Sequence, residues 1–396
     1  MSVDALGDSG SMGSSQSIVR NVGKKVVTSQ QMGLIAVIVL LTTVVAIVAG
    51  NETRPVRTQQ ADGTWLKVDQ THNRLLNADV LVNYAKDTSF IAIMAIGATA
   101  VIISLGIDLS VGSIYALAGV VGAMVLRHYG PVSGTSGGMA VLGALAGVAV
   151  SLAVAVACGL INGVAVVGLR VHPFIITLGT MLIFRGIAFV STKGISIGEF
   201  PVPLTEVIKS DLGLGVGLQP VPLLVMLAMA ALGTVYLWAT VAGRHVYAVG
   251  GNIEAARFSG LPTGRILISV YALAGLCAGV STVLANGIYG AAACNRGEGY
   301  ELNVIAASVV GGASLTGGRG TAIGAVLGAM LIQLIEQSII TLGIDQNYNR
   351  IVIGLAIVLA VVIDQVSTRM TASRLAMAAR QDRGETHVAI QPSQGD

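Results

Sequence analysis

The chain has 396 residues, of which 54% are apolar and 11% are charged, and its formal net charge is +3. Soluble domains carry roughly a quarter charged residues, so this composition excludes an ordinary soluble domain, and we expect no nucleic-acid partner. Several uncharged runs approach the roughly 20 residues with which an α-helix crosses a bilayer, and the alternating segments of β-barrels are absent. We therefore predict an all-α polytopic membrane protein that packs through its 51 glycines and other small residues.

The apolar runs divide the chain into spans and polar connections. Residues 1–30 are rich in Gly and Ser and are predicted to form a disordered cytoplasmic tail. A signal peptide ending near residue 50 is the alternative, which the length of the first run disfavours. A transmembrane permease domain over 31–366 would contain a polar periplasmic insert at 51–87 and precede a cytoplasmic tail at 367–396. The predicted spans are about ten: 33–50, 86–104, 110–127, 139–158, 172–190, 220–241, 266–288, 300–313, 322–342 and 348–364.

The distribution of Lys and Arg predicts the orientation of these spans. The insert 51–87 is locally neutral, with equal numbers of basic and acidic residues. Outside it, Lys and Arg are concentrated on the side that faces the cytoplasm if the N-terminus is inside. We expect both termini and the segment 242–265 to be cytoplasmic. A faint internal repeat relates 118–124 to 324–330; a pseudo-repeat of the two halves and chance similarity between small-residue packing segments both explain it.

The stretch from Gly106 to Ser113 places a carboxylate between two apolar runs, with too few residues to leave the membrane. A charged Asp at that depth costs about 2.5–3.5 kcal/mol on insertion scales, so Asp108 should face a cavity or a partner. The flanking glycines predict a broken or re-entrant helix, where Asp108 and Ser110 meet the translocation path. In the alternative, compatible interpretation, Asp108 and Ser110 cap the following helix.

Three further polar residues fall inside predicted spans. Arg185 lies within 172–190, and Gln333 and Glu336 lie three residues apart within 322–342, on one helix face. An unpaired charge in a bilayer is costly, so we expect Arg185 to pair with Glu336 or with Asp108. Such a pair would serve transport or fix the helix register.

The sequence contains no catalytic or metal-binding pattern. The five histidines are scattered, and neither H-E-x-x-H nor G-x-S-x-G occurs. The glycine-rich stretch 311–320 lacks the Lys of a phosphate-binding loop and is interpreted as a tight turn between close-packed helices. A membrane-bound enzyme is therefore disfavoured. An ion-coupled secondary transporter, with Asp108 or Glu336 as its proton site, is a second hypothesis.

A polar, helix-capable segment from Gly250 to Gly260 separates the runs 220–241 and 266–288. Glu254 and Arg257 are spaced i,i+3, and glycines lie at both ends of the segment. A helix of this kind outside the bilayer either contacts a soluble partner or is simply a solvated loop helix.

Four ordered motifs make the chain resemble the permease subunit of bacterial ATP-binding-cassette importers for monosaccharides, the ribose, xylose, arabinose and galactose group. The motifs lie between Leu76 and Asp364, at 106–113, 169–180, 243–252 and 299–302, the last followed by the turn 311–320. The chain departs from the family pattern in three ways: it has Leu105 where the family usually has a first glycine, His172 before Pro173, and a longer polar insert at 51–87. These departures concern the shape of the pocket and the docking of a binding protein.

The resemblance implies a type II importer architecture in the bacterial inner membrane. It implies a homodimer, a separate ATPase that carries ATP and Mg, and a periplasmic sugar-binding protein that delivers the monosaccharide. This chain would itself bind no cofactor. A related branch that carries nucleosides or branched-chain amino acids stays open. The coupling helix that contacts the ATPase falls on Asn252, Glu254, Ala255, Ala256, Arg257, Ser259 and Gly260.

Overall fold

The structure is a computed structural model that describes residues 31–59, 65–131, 134, 137–211, 219–356, 358, 359 and 362. The predicted tails, 1–30 and 367–396, lie outside the described residues.

Eight helices of the described chain are long and apolar enough to cross a membrane, in agreement with the polytopic all-α class. These eight are α1 (Gln31–Ala49), α2 (Ala78–Ile103), α3 (Val111–His128), α4 (Gly138–Leu169), α5 (Pro173–Thr192), α7 (Pro220–Ala239), α10 (Thr263–Tyr289) and α12 (Ala322–Thr341). Four shorter helices are α6 (Val202–Ile208), α8 (Val241–Gly251), α9 (Ile253–Phe258) and α11 (Tyr300–Val310).

Two of the ten predicted spans differ from expectation. The segment 300–313 forms only the 11-residue helix α11, which at 1.5 Å per residue is about 16 Å long and too short to cross the membrane. It ends because Gly311 and Gly312 follow it, and Gly312 takes a φ of +99°. The segment 348–364 is helical from residue 347 but is only partly described.

Helices α2 and α4 are longer than the predicted spans. Helix α2 begins at Ala78 because the side chain of Asn77 accepts a hydrogen bond from the Asp79 amide at 3.0 Å. Helix α4 continues through Gly159 and Gly163 because these glycines pack directly against the backbone of α10. Glycine here serves close helix packing rather than termination.

The polar insert contains an antiparallel hairpin that the prediction of an all-α chain with a plain polar loop missed. Strand β1 (Asn51–Gln59) pairs with β2 (Trp65–Asn73), with Asn51 opposite Asn73. The Asn73 amide donates a 2.8 Å hydrogen bond to the carbonyl of Ala46 in α1, which holds the hairpin to the end of that helix. A second ribbon joins β3 (Ile197–Gly198) to β4 (Ala291–Ala292).

The core is built around α2 and α10. Helix α2 is buried without interruption from Thr88 to Ile103, which explains why its sequence shows no polar face. Gly97 of α2 sits against α10, and Gly275 of α10 sits against α4, so the three helices approach through small residues. By contrast, α5 has only four buried residues among its 20: Thr177, Phe184, Ala188 and Thr192.

The described helices end on two opposite faces. The hairpin face carries the hairpin, α6 and the β3–β4 ribbon. The α9 face carries α8, α9, the end of α2 and the turn 311–320, to which Tyr247 is hydrogen-bonded.

The two stretches of the suggested repeat fall on α3 and α12, where their glycines pack closely against other helices. This close packing is compatible with either explanation of the similarity, and the pseudo-repeat stays a prediction.

Candidate functional site

The helix interruption predicted around Asp108 is present, in the segment 104–110 between α2 and α3. The Gly106 amide donates to the Val101 carbonyl at 2.9 Å, which turns the chain back at the end of α2. Leu105 takes a φ of +67°, in the left-handed region that favours glycine. The segment is therefore a tightly folded break inside the core.

Asp108 is 3% exposed and organises the start of α3. Its Oδ1 accepts hydrogen bonds from the Ser110 amide at 2.8 Å and from the Ser110 hydroxyl at 2.6 Å. Asp108 thus satisfies a backbone N–H at the beginning of α3, as the capping interpretation expects. Ser110 makes no side-chain cap of its own, contrary to that interpretation; its hydroxyl donates to Asp108 instead of accepting from the backbone of α3.

Asn162 of α4 completes this cluster, and the sequence analysis missed it. Its Nδ2 donates to the Ser110 hydroxyl at 2.6 Å, and the residue is fully buried. An amide side chain within a long apolar helix is the signal that could have identified it.

The carbonyl group freed by the break also has partners. The Ile107 oxygen accepts from the Thr177 hydroxyl of α5 at 3.1 Å and from the Tyr271 hydroxyl of α10 at 3.4 Å. Three helices, α4, α5 and α10, therefore join the segment 104–110 in one polar cluster. Broken helices in membranes are tolerated where neighbours satisfy the backbone in this way.

Two acceptors of the cluster have no partner in the part of the chain that the structure describes. They are Oδ2 of Asp108 and Oδ1 of Asn162. An unsatisfied buried acceptor costs roughly 1–3 kcal/mol, so such groups in a packed interior suggest a role beyond packing.

The predicted pairing of Arg185 is wrong. Among the described residues, Arg185 forms no ion pair with Glu336 or Asp108; its Nη1 donates to the carbonyls of Cys294 and Arg296, each at 2.8 Å. The guanidinium has several donors in a planar fork, so it can bind two backbone oxygens at once. Arg185 therefore ties α5 to the loop that precedes α11.

Gln333 and Glu336 lie together on α12, as their spacing predicted. Gln333 Nε2 donates to Glu336 Oε2 at 3.2 Å.

Near the hairpin face, a second polar group joins α2 to the end of α10: the Tyr289 hydroxyl donates to Asp87 Oδ1 at 3.1 Å, and the Arg296 guanidinium lies 4.2 Å from the Tyr289 ring centre. The sequence analysis did not identify this group.

The segment after α7 forms two short helices. Asn252 separates them and caps α9, because its Oδ1 accepts from the Ala255 amide at 2.9 Å. Gly260, with a φ of +79°, follows the end of α9. Gly250 and Gly251, predicted to bound this helix, instead form the last turn of α8.

Helix α9 presents nearly all of its side chains to the surroundings. From Asn252 to Gly260, only Ala256 is buried, and it joins the hydrophobic core. Phe258 is 89% exposed and Ile253 is 39% exposed. The predicted contact residues omitted both of these exposed apolar side chains.

Side-chain geometry in the described residues offers no metal site: no three His, Cys, Asp or Glu groups are arranged to hold an ion. A cavity on the hairpin face lies between the hairpin and the end of α12, and Glu52, His72, Arg74 and Gln337 are among its lining residues.

A multi-span helical bundle with a broken helix and buried polar groups defines a membrane transport protein. Residues 80–361 match the family model described as branched-chain amino acid transport system / permease component, and the chain belongs to this family.

Several characterised permeases are similar to the chain. It is 39% identical over 289 residues to the ribose import permease protein of Escherichia coli K12, covering 72% of this chain and 85% of the relative. It is 34% identical over 303 residues to the galactose/methyl galactoside import permease protein of the same organism, covering 75% and 89%. It is 32% identical over 304 residues to the autoinducer 2 import system permease protein of Yersinia enterocolitica, covering 75% and 87%. No solved structure matches the chain.

Proposed function

We propose that the chain is the membrane-spanning subunit of an ATP-binding-cassette importer for a monosaccharide. It works as a homodimer in the bacterial inner membrane, with both termini in the cytoplasm. A separate ATPase supplies ATP hydrolysis with Mg, and a periplasmic sugar-binding protein delivers the substrate. Similarity to ribose and galactose import permeases supports the sugar. The exposed helix α9 is the observation that carries the mechanism.

Helix α9 has the properties of a protein-docking element. It is capped at Asn252, held to the core only by Ala256, and displays Phe258 and Ile253 beside the charges of Glu254 and Arg257. Interface energy concentrates in a few anchors, and a large aromatic side chain is the usual kind. We assign Phe258 as the anchor that enters a cleft of the ATPase, with Glu254 and Arg257 at the polar rim.

The polar groups within the bundle contribute to the translocation path or its gate. Asp108 and Ser110 stand at the break between α2 and α3, and Arg185 holds the loop before the half-length helix α11. Gln333 and Glu336 place a further polar pair on α12. A second permease copy would cover part of the mostly exposed helix α5 and complete the path between the two chains.

ATP-dependent uptake by reconstituted vesicles tests this function. Vesicles would contain the permease, its ATPase and its binding protein, with radiolabelled ribose and galactose outside. We expect accumulation only with ATP and all three proteins. Uptake by the permease alone, driven by a proton or sodium gradient, would instead establish the ion-coupled alternative.

The family description favours one second candidate, the import of branched-chain amino acids. Excess leucine or isoleucine added to the same vesicles distinguishes the two. The sugar proposal predicts no competition by amino acids and full competition by the unlabelled sugar. A nucleoside competitor tests the remaining related branch.

A further inference from the structure

Three segments of the backbone meet at glycines immediately before α9. They are the last turn of α8 at Gly250, the end of α2 at Ile103, and the turn 311–320 at Gly317 and Gly318. We call this contact the glycine joint.

The joint is a contact of backbone with backbone. The Gly318 amide donates to the Ile103 carbonyl at 2.9 Å. A Cβ on Gly250 would overlap that same carbonyl oxygen and come within 2.7 Å of the Gly318 nitrogen. A Cβ on Gly317 would lie 2.5 Å from the Gly250 oxygen. Any side chain at Gly250 must therefore push the three segments apart.

A second bond holds α8 itself to the turn, one helical turn before Gly250. The Tyr247 hydroxyl donates to the Gly320 carbonyl at 2.7 Å, so α8 meets the turn at two points, through this bond and through the close contact at Gly250. Two attachment points restrict rotation of α8 against the turn as well as its separation from it.

The joint connects α9 to the polar cluster. Helix α9 begins three residues after Gly250, and the segment that carries Asp108 begins directly after Ile103. The turn also contacts that segment, because a Cβ on Gly317 would lie 2.6 Å from the Leu105 side chain. The turn in addition joins α11 to α12, which carries Gln333 and Glu336. A movement of α9 can therefore reach both sets of polar residues through close-packed contacts.

We propose that the glycine joint transmits the movement of α9 to the segment 104–110 and to the α11–α12 turn. The close contact at Gly250 is then what allows ATP hydrolysis to drive import of the sugar. This inference rests on the proposed ATP-driven function and adds the residues through which that function is coupled. Packed elements shift as units, so a loosened contact would uncouple the two processes without preventing either docking or hydrolysis.

Adjacent glycines in α8 provide a matched pair of variants. Gly250→Ala and Gly251→Ala make the same chemical change in the same helical turn, with the same gain in helix propensity. A Cβ on Gly251, however, meets no atom of the described residues within 4 Å. The measured quantity is the number of sugar molecules imported per ATP hydrolysed in reconstituted vesicles.

We expect Gly250→Ala to lower this ratio roughly tenfold, within the usual range of coupling energies, while the ATPase still co-purifies and hydrolyses ATP. Gly251→Ala should stay within about twofold of the wild type, since it changes no contact. Equal ratios for the two variants would overturn the proposal.

Tyr247→Phe decides the matter if Gly250→Ala does not assemble. It removes only the bond to Gly320, and we expect the ratio to fall by roughly threefold, as for a single neutral hydrogen bond. An unchanged ratio would overturn the proposal that the joint transmits movement, and it would leave the proposed function intact. Absence of ATP-driven uptake by the wild type would instead reject the proposed function itself.

Discussion

The segment 104–110 and helix α9 are both short elements between apolar helices. The first buries a polar group and the second exposes an apolar group, so each departs from the usual pattern of burial. Asp108, a carboxyl group, is 3% exposed, whereas Phe258, a phenyl group, is 89% exposed. Single exposed apolar residues are common in folded proteins. Here, however, the buried carboxyl and the exposed Phe lie at the two ends of the contacts through the glycine joint, which makes both of them candidates for a functional role. The interior element finds partners within its own chain. The exterior element leaves most of its side chains exposed.

The comparison also separates two kinds of polar residue. Ser110 donates to Asp108 and Asn162 donates to Ser110, each at 2.6 Å, so substitutions there should affect the fold as well as transport. Glu254 and Arg257 are exposed, so substitutions there should affect association and leave the fold unchanged. The following predictions use this difference, beginning with the largest expected effect.

Phe258→Ala should give the largest loss of ATPase binding. Removal of a central aromatic anchor costs roughly 2–4 kcal/mol of binding free energy, which corresponds to about 30-fold or more in affinity. The measurement is the affinity of the detergent-solubilised permease for its ATPase. Phe258→Tyr keeps the ring and should bind within about threefold of the wild type, because a neutral hydroxyl changes little at an anchor. Equal binding by the Ala variant and the wild type would remove Phe258 from the interface.

Asp108→Ala should destabilise the permease by roughly 1–3 kcal/mol, because it leaves the buried Ser110 amide and hydroxyl without their acceptor. Asp108→Asn retains an acceptor oxygen and should recover most of this stability. Thermal unfolding in detergent measures both variants. If the Asn variant is stable but inactive in vesicles, the carboxyl group acts in transport; if it is active, the group serves to hold the break. We expect activity above half of the wild-type rate.

Arg185→Met should lower stability by roughly 1–3 kcal/mol, since the carbonyls of Cys294 and Arg296 lose their donor. Glu336→Gln should change stability by less than about 0.5 kcal/mol, because its partner is Gln333 and the amide can still accept that bond. Thermal unfolding of the two single variants and of the double variant tests this. Recovery of Arg185→Met stability by Glu336→Gln would contradict the structure and restore the pairing of the two side chains.

Arg257→Glu should weaken ATPase association by a smaller amount, about three- to tenfold at low salt, because rim charges contribute modestly. Arg244→Glu, an exposed position of α8 on the same face, is its control and should change association by less than twofold, within the range of roughly neutral surface changes. Membrane levels of both variants should match the wild type. Equal effects of the two would point to overall charge rather than to α9.

The sequence predicted the main parts of the fold because long uncharged runs have few alternatives to spanning a membrane. It overestimated α11, since the apolar run that ends at Gly311 looks the same whether it crosses the bilayer or stops inside it. It missed the hairpin, although Asp62-Gly63 between two polar runs that contain Val and Thr is a recognised turn signal. The signal is weak because both runs are mainly polar and the first contains Pro55, which is uncommon within a strand.

The candidate sites were predicted unevenly for a related reason. Asp108 was identified because its charge is conspicuous, and Asn162 was missed because a neutral amide is not. The partners of Arg185 could not be predicted from the sequence, since they are backbone carbonyls, which every residue has. Phe258 was missed because the prediction selected polar residues and small residues of the segment and left out its exposed apolar side chains.

Leu105 has a consequence for the stability of the break. Its φ of +67° lies in the left-handed region that favours glycine, yet a leucine occupies the position. A left-handed conformation costs a residue with a Cβ roughly 1–2 kcal/mol. The hydrogen bonds and packing around the break must offset that cost, so the surroundings of Leu105, rather than its own conformational preference, keep the chain turned here.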